Sequence, residues 1–176
     1  MSTAKTTRLP PPRKQVSVSK VLDVHIGQVK VAKNGETLKA ILGSCVGIGI
    51  LWKEKKICGL AHCLLPASPV PTFEIGARFV DQALRSLMAL MKIKATDVGA
   101  VELIIVGGGN MTNPEASEDH ELVGTSNFKV AIAEAKKNHL RIIHSEGGGE
   151  TGRKIIIDGS DFTYRIEKIP RIIDAA

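Results

Sequence analysis

The sequence predicts an α+β sandwich, and three observations carry that prediction. Apolar residues alternate with a period of two toward both ends of the chain, switch to a period of 3.6 in two central stretches, and are punctuated by glycine-rich turns. Strand-rich ends around two helices argue against a doubly wound sheet, in which strand and helix would alternate throughout. With 176 residues and 43% hydrophobic content, the chain is long enough for one core and short for two. No repeat of about 20–50 residues marks a solenoid or propeller.

Residues 1–20 are rich in Thr, Pro, Lys and Arg and hold too little apolar surface to offset their ordering entropy, which predicts a disordered basic arm. Val21, Leu22, Val24 and Ile26 then begin a β pattern that breaks at Gly27. Val29 and Val31 alternate, and Asn34-Gly35 is a turn signal. Strands are expected over Thr37–Leu42, Val46–Trp52 and Ile57–Leu65, the last ended by Pro66. After a loop at Ser68–Pro71 the period changes. Phe79, Val80, Ala83, Leu84, Leu87, Met88 and Met91 share one face of a helix expected within Ile75–Lys92. Val101–Val106 reads as a short strand running into Gly107-Gly108-Gly109-Asn110, and a polar loop follows to Glu121. A second helix is expected from Ser126 as N-cap to about Asn138, with Phe128, Ile132 and Ala135 inward. Leu140–His144, Arg153–Ile157 and Phe162–Ile169 complete the strands. The predicted domain spans residues 21–170, with a short tail over 171–176.

Charge narrows the function. The formal net charge is +6, but Lys5, Arg8, Arg13, Lys14 and Lys20 place +5 of it in the arm, leaving about +1 for the rest. With one Trp, one Tyr and four Phe available for base stacking, a nucleic-acid partner is not expected for the folded part. The longest apolar run, Leu42–Trp52, falls short of the roughly 20 residues of a membrane helix, so no integral membrane segment is expected. Pro10-Pro11-Pro12 and basic residues stand where a secretory signal would need its apolar stretch. The expected location is the cytoplasm. Its reducing environment and the odd count of three cysteines predict free thiols.

Those cysteines fall in one stretch, LGSCVGIGILWKEKKICGLAHCLLP, residues 42–66. Charged residues Lys53-Glu54-Lys55-Lys56 suit the turn of a hairpin. If Trp52 faces Ile57, Val46 faces Cys63, Gly47 faces His62 and Cys45 faces Leu64. Cys45 and His62 then share a face as diagonal neighbours, about 7–8 Å apart along the backbone, with Gly47 leaving room opposite the imidazole. Cys63 faces the other way as a small buried hydrophobe, and Cys58 shares the His62 face nearer the turn. Three readings compete: packed cysteines with a satisfied core histidine, a metal site, or a nucleophile with its base. A zinc site built on Cys58, His62 and Cys63 lacks a fourth ligand and asks adjacent residues to point the same way, so no metal is expected. The catalytic reading gains from Gly43-Ser44 at the strand entrance, where a turn exposes a thiol and offers N–H groups to an oxyanion.

The same blocks resemble a known family. Leu42-Gly-Ser-Cys-Val46 and Gly59-Leu-Ala-His-Cys-Leu-Leu-Pro66, with seventeen residues from Cys45 to His62, resemble the chemoreceptor glutamine deamidases of bacterial chemotaxis, the CheD family. Phe79-Val-Asp-Gln-Ala-Leu84, Gly107-Gly-Gly-Asn-Met111, Val123-Gly-Thr-Ser-Asn127 and Gly152-Arg153 follow in the family's order, and the resemblance runs from Val21 to Lys168. It implies a three-layer α/β/β sandwich and a hydrolase that converts glutamines in the cytoplasmic domains of methyl-accepting chemoreceptors to glutamates. It implies Cys45 as nucleophile and His62 as base, with no cofactor. It further implies methyl-ester hydrolysis in some members and the phosphatase CheC as a partner of many. One position departs: the family's third catalytic residue is a threonine six positions before the cysteine, where this chain has Lys39. Thr37, Ser44 and Lys39 itself are the candidates for that third role, and Gly43, Ser44, Gly107 and Gly108 the candidates for the oxyanion site or cleft. The alternative is a non-catalytic chemotaxis adaptor of the same fold that binds receptor or CheC. A third reading is a structural domain with buried cysteines.

Gly107-Gly108-Gly109-Asn110 lacks the Gly-Lys-Ser/Thr ending of a phosphate loop, and a tight turn near the cleft is expected instead. His144 with Glu146 is a candidate acid–base pair whose ordinary explanation is a polar strand end. His25, His120 and His139 stand isolated.

Overall fold

The computed structural model describes residues 19–33, 35–111 and 122–170. The expected arm over 1–20 falls almost wholly outside the described residues, as do Asn34 of the turn signal, the polar loop over 112–121 and the tail over 171–176.

Two sheets stack under one helical layer. Strands β1 (Val21–Asp23), β3 (Thr37–Leu42), β8 (Gly152–Asp158) and β9 (Thr163–Ile169) form a four-stranded sheet in the order β1-β3-β8-β9. Strands β2 (Val29–Ala32), β5 (Ile57–Cys63), β4 (Val46–Trp52), β6 (Glu102–Gly107) and β7 (Arg141–Gly147) form the other, in the order β2-β5-β4-β6-β7. Helices α1 (Val80–Leu90) and α2 (Val123–Lys137) cover the outer face of the five-stranded sheet. This is the α/β/β sandwich that the resemblance implies.

The middle sheet is buried on both faces, which explains why β4 reads as an unbroken apolar run rather than an alternation. Val46, Ile48 and Ile50 face the helices with Val80, Leu84 and Leu87. The other face, with Cys58 and Leu60, meets Leu38, Ala40, Leu42, Ile155 and Ile157 of the four-stranded sheet. Because successive side chains alternate, each strand feeds both cores.

Both helices are shorter or shifted relative to expectation. α1 starts at Val80, five residues after the expected Ile75, because Ala77 is drawn into a bridge with Gly27 and the Gln82 side chain accepts the Phe79 N–H at 3.4 Å. α2 starts at Val123, so Ser126 is inside the first turn and caps nothing; its N–H already donates to the Leu122 carbonyl at 3.0 Å. Strand β5 stops at Cys63, two residues early, because the N–H groups of Leu64 and Leu65 both turn to the Arg78 carbonyl. Two pairings are parallel, β1 with β3 and β6 with β7, which local alternation alone does not indicate.

Candidate active site

The β4–β5 hairpin has the expected register: Trp52 faces Ile57, Gly47 faces His62 and Val46 faces Cys63. Cys45 belongs to the inter-sheet core and is 6% exposed, Cys58 shares that core, and Cys63 packs toward the helices. His62, opposite Gly47, points the same way as Cys45 and is 4% exposed. One detail differs from expectation. The space over Gly47 is filled from the opposite sheet, where a Cβ would lie 2.8 Å from Leu42 Cδ1, so that glycine serves close packing of the sheets rather than room for the imidazole.

What orients the ring is a backbone group. His62 Nδ1 lies 3.0 Å from the Val24 carbonyl oxygen. A carbonyl only accepts, so Nδ1 carries the proton and Nε2 keeps its lone pair. Nε2 is buried and, among the described residues, has no hydrogen-bond partner. The backbone of His62 is held as well: its N–H donates to the Gln28 carbonyl at 3.0 Å and its carbonyl accepts from Gly27 N–H at 2.8 Å.

None of the three candidates for a third side chain bonds the imidazole. The Thr37 hydroxyl lies 3.1 Å from Ser19 Oγ, and the Lys39 ammonium lies 3.0 Å from Asp23 Oδ1. Ser44 is exposed on the loop before Cys45. Its N–H and that of Cys45 donate to no backbone carbonyl among the described residues. The Gly108 N–H is committed, donating to the Cys45 carbonyl at 2.8 Å, whereas Gly43 is engaged through its carbonyl, which accepts from Gly109 N–H at 2.9 Å. Gly107 lies against the Cys45 carbonyl, and its own carbonyl accepts from Gly148 N–H at 3.2 Å. The glycine turn thus braces the Cys45 backbone from behind, and among the described residues the N–H groups of Gly43, Ser44 and Cys45 have no backbone acceptor.

Asn127 stands out in the sequence only as the end of a family-like block. It is fully buried in α2, and its Nδ2 donates to the carbonyls of Ser44 and Leu64, each at 3.0 Å. The loop that carries Cys45 is thereby tied to the strand end that carries His62. The signal available in the sequence is the block Val123-Gly-Thr-Ser-Asn127, which by itself names no partner for the amide. Asn127→Ala is expected to cost about 2–4 kcal/mol, because two part-buried carbonyls lose their donor and the fully buried amide leaves its space empty. Urea denaturation checks this, and a loss under about 1 kcal/mol would show that the tie is weak.

Burial pushes the Cys45 thiol above its ordinary pKa. Burial likewise pulls the His62 imidazole below 6.5, against the opposing pull of the Val24 carbonyl, with the nearby His25 adding to the lowering. The resting site therefore holds a neutral thiol and a neutral base. Protonation of His62 is harder in the folded chain than in the unfolded one. Its contribution to stability is intact above the unfolded value of 6.5 and is lost as pH falls from there through the folded value. The urea midpoint followed by Trp52 fluorescence is expected to drop between neutral pH and about pH 5, and to drop less in His62→Gln. Equal drops in both proteins would remove His62 from the effect.

An open depression of about 440 Å³ leads to His62, lined by Asp23, His25, Ile26, Lys39 and Ile41 among others. Ile26 and Ile41 expose more than half of their surface there. The candidate pair His144 and Glu146 lies 3.8 Å apart, but Glu146 Oε1 accepts from the buried Arg153 Nε at 3.0 Å, and Arg153 also donates to the carbonyls of Gly148 and Thr151. Glu146 is thus part of the bracing of the β7–β8 turn.

The class is an α/β/β sandwich in which Cys45, just before β4, and His62 of β5, whose Nε2 has no partner among the described residues, face the inter-sheet layer. A family model described as CheD chemotactic sensory transduction matches residues 64–168, more than half of the chain. A protein of Bdellovibrio bacteriovorus named "probable chemoreceptor glutamine deamidase CheD" is 41% identical over 148 residues, covering 84% of this chain and 94% of that protein. A Ruegeria relative named "probable chemoreceptor glutamine deamidase CheD 2" is 39% identical over 174 residues, covering 90% and 97%. A Methanococcus maripaludis relative with the first of these names is 32% identical, covering 84% and 95%. The chain belongs to the CheD family. Among its described residues, no helix is long and apolar enough to cross a membrane.

Proposed function

We propose that this protein is a cysteine-dependent protein-glutamine deamidase that converts glutamine side chains in the cytoplasmic domains of methyl-accepting chemoreceptors to glutamate. The observation that carries the reading is the buried, unpartnered Nε2 of His62, turned into the layer that holds Cys45 and fixed in its tautomer by Val24. His62 Nε2 takes the thiol proton as Cys45 Sγ attacks the carboxamide carbon, which offsets the cost of forming a thiolate in a buried place. The N–H groups of Ser44 and Cys45 receive the oxyanion. Collapse of the tetrahedral species expels ammonia, protonated by His62, and leaves a thioester. Water deprotonated by His62 then attacks that carbonyl, and glutamate leaves with the thiol restored. No metal or cofactor enters the sequence of steps. Ile26 and Ile41 at the mouth offer apolar contact to a receptor helix around its target glutamine.

The test is incubation with a receptor cytoplasmic fragment and peptide mass spectrometry for a gain of about 1 Da at glutamines, the difference between an amide and an acid. Conversion by the wild type and not by Cys45→Ala or His62→Ala is the expected result. The adaptor reading is favoured by one observation, the burial of Cys45 with its raised thiol pKa. A wild type that binds the fragment, or the phosphatase CheC, without converting any glutamine would establish it over the enzyme.

A further inference from the structure

Lys39 stands at the mouth of the depression over His62 and has no part in the steps above. It nevertheless grips the segment that orients the imidazole. Its backbone carbonyl accepts the Val24 N–H at 2.7 Å, and its ammonium pairs with Asp23 Oδ1 at 3.0 Å, an interaction that holds the Asp23 carboxyl below its usual pKa. Lys30, on β2 of the other sheet, donates Nζ to the Asp23 carbonyl at 2.6 Å. Both ends of the Asp23–Val24 peptide are therefore held, its N–H from the four-stranded sheet and its carbonyl from the five-stranded one. On the far side of Val24, the His25 N–H donates to Gln28 Oε1 at 3.2 Å. The Val24 carbonyl is the atom between these anchors, and it is the atom that bonds His62 Nδ1.

We propose that Lys39 and Lys30, acting through Asp23, are positioning residues that aim the Val24 carbonyl at His62 and so hold the imidazole in the tautomer that leaves Nε2 free. The inference rests on the deamidase reading for its kinetic consequence but not for its geometry. A backbone carbonyl is a directional acceptor whose aim follows its peptide plane. The plane here is the Val24–His25 peptide, just past the end of the three-residue edge strand β1, with its N–H held by Gln28 and the preceding Asp23–Val24 peptide held by Lys39 and Lys30. Such an edge frays without side-chain anchors. Lys39 thus serves the ring at one remove, through an ion pair and a backbone bond. The charged and titratable groups around the mouth are Asp23, His25 and Lys39, so a pH profile of the site reads them together with His62.

The experiment uses the full chain with 15N-labelled histidine. His62 ring shifts are recorded, with kcat and KM on the receptor fragment across pH, for Lys39→Met, Asp23→Asn, Lys39→Arg and the exchanged pair Asp23→Lys with Lys39→Asp. The expected result is a His62 signal of pure Nδ1–H tautomer in the wild type and in Lys39→Arg. In Lys39→Met and Asp23→Asn the other tautomer mixes in, and kcat falls about three- to fivefold at unchanged KM, the range an exposed ion pair supports. The exchanged pair recovers both readouts. Wild-type tautomer and kcat in the single variants would overturn the proposal, as would a raised KM at unchanged kcat, which would make Lys39 a substrate contact. If the wild type proves inactive, the deamidase reading fails alone, and the ring shifts still decide the positioning role.

Discussion

Cys45→Ala is expected to lower glutamine deamidation by about four orders of magnitude or more while leaving the folded protein intact. The reaction proposed here has no covalent step without the thiol, and His62 alone can only act on water. The structural cost is small by comparison. Cys45 precedes β4 rather than lying in it, and exchanging a thiol for hydrogen on a residue at the rim of the inter-sheet core removes one heavy atom, a loss of about 1 kcal/mol. Cys58→Ala and Cys63→Ala provide the contrast. Burial, reinforced by Asp158, pushes the Cys58 thiol up to about 12, and burial pushes Cys63 up as well. Cys58 is fully buried between the sheets and Cys63 packs toward the helices, so neither is placed to meet a substrate, and both variants are expected to convert glutamine at near wild-type rates, with only stability reduced. Mass spectrometry of the receptor fragment and a thermal melt of each variant measure the two effects separately. Activity surviving in Cys45→Ala would end the assignment of the nucleophile.

Gly107→Ala is expected to have the largest effect on stability, above about 4 kcal/mol. Two causes add at this position. The backbone has φ of +118°, a region that residues with a Cβ avoid, and the added methyl would fall on the Cys45 carbonyl oxygen and 3.1 Å from Val46 Cα. Both obstacles are backbone atoms at the junction of β4 and β6, so no side-chain rotation relieves them. Because the displaced carbonyl belongs to Cys45 itself, whatever folded protein remains is expected to lose activity too. Urea denaturation measures the first effect. A loss of under about 1 kcal/mol would mean that the β4–β6 junction yields, and the bracing role of the glycine turn would fall with it.

The two expectations differ in how far they were legible beforehand. Cys45 was singled out by its place after Gly43-Ser44 and by hairpin arithmetic from a charged turn, and the observed pairing of Gly47 with His62 follows that arithmetic. Gly107 was legible as a family-like glycine block and as a candidate for the oxyanion site or cleft, not as a brace of the Cys45 carbonyl. Its contact with Cys45 joins residues 62 positions apart, which no local pattern contains. Asn127 is similar: its two bonds reach Ser44 and Leu64 across 83 and 63 residues.

By itself, the sequence determined the order of the strands and helices without their exact ends, the hairpin register, which cysteines share a face with His62, and the family. Each of these is written in short-range periodicity or in a block of adjacent residues. Only the tertiary structure decided what holds the imidazole. Thr37, Ser44 and Lys39 were sought as its partner because a side chain has an identity that can be read. The partner is the Val24 carbonyl, a group every residue carries, and it becomes specific only when a parallel β1–β3 pairing brings that peptide over the other sheet.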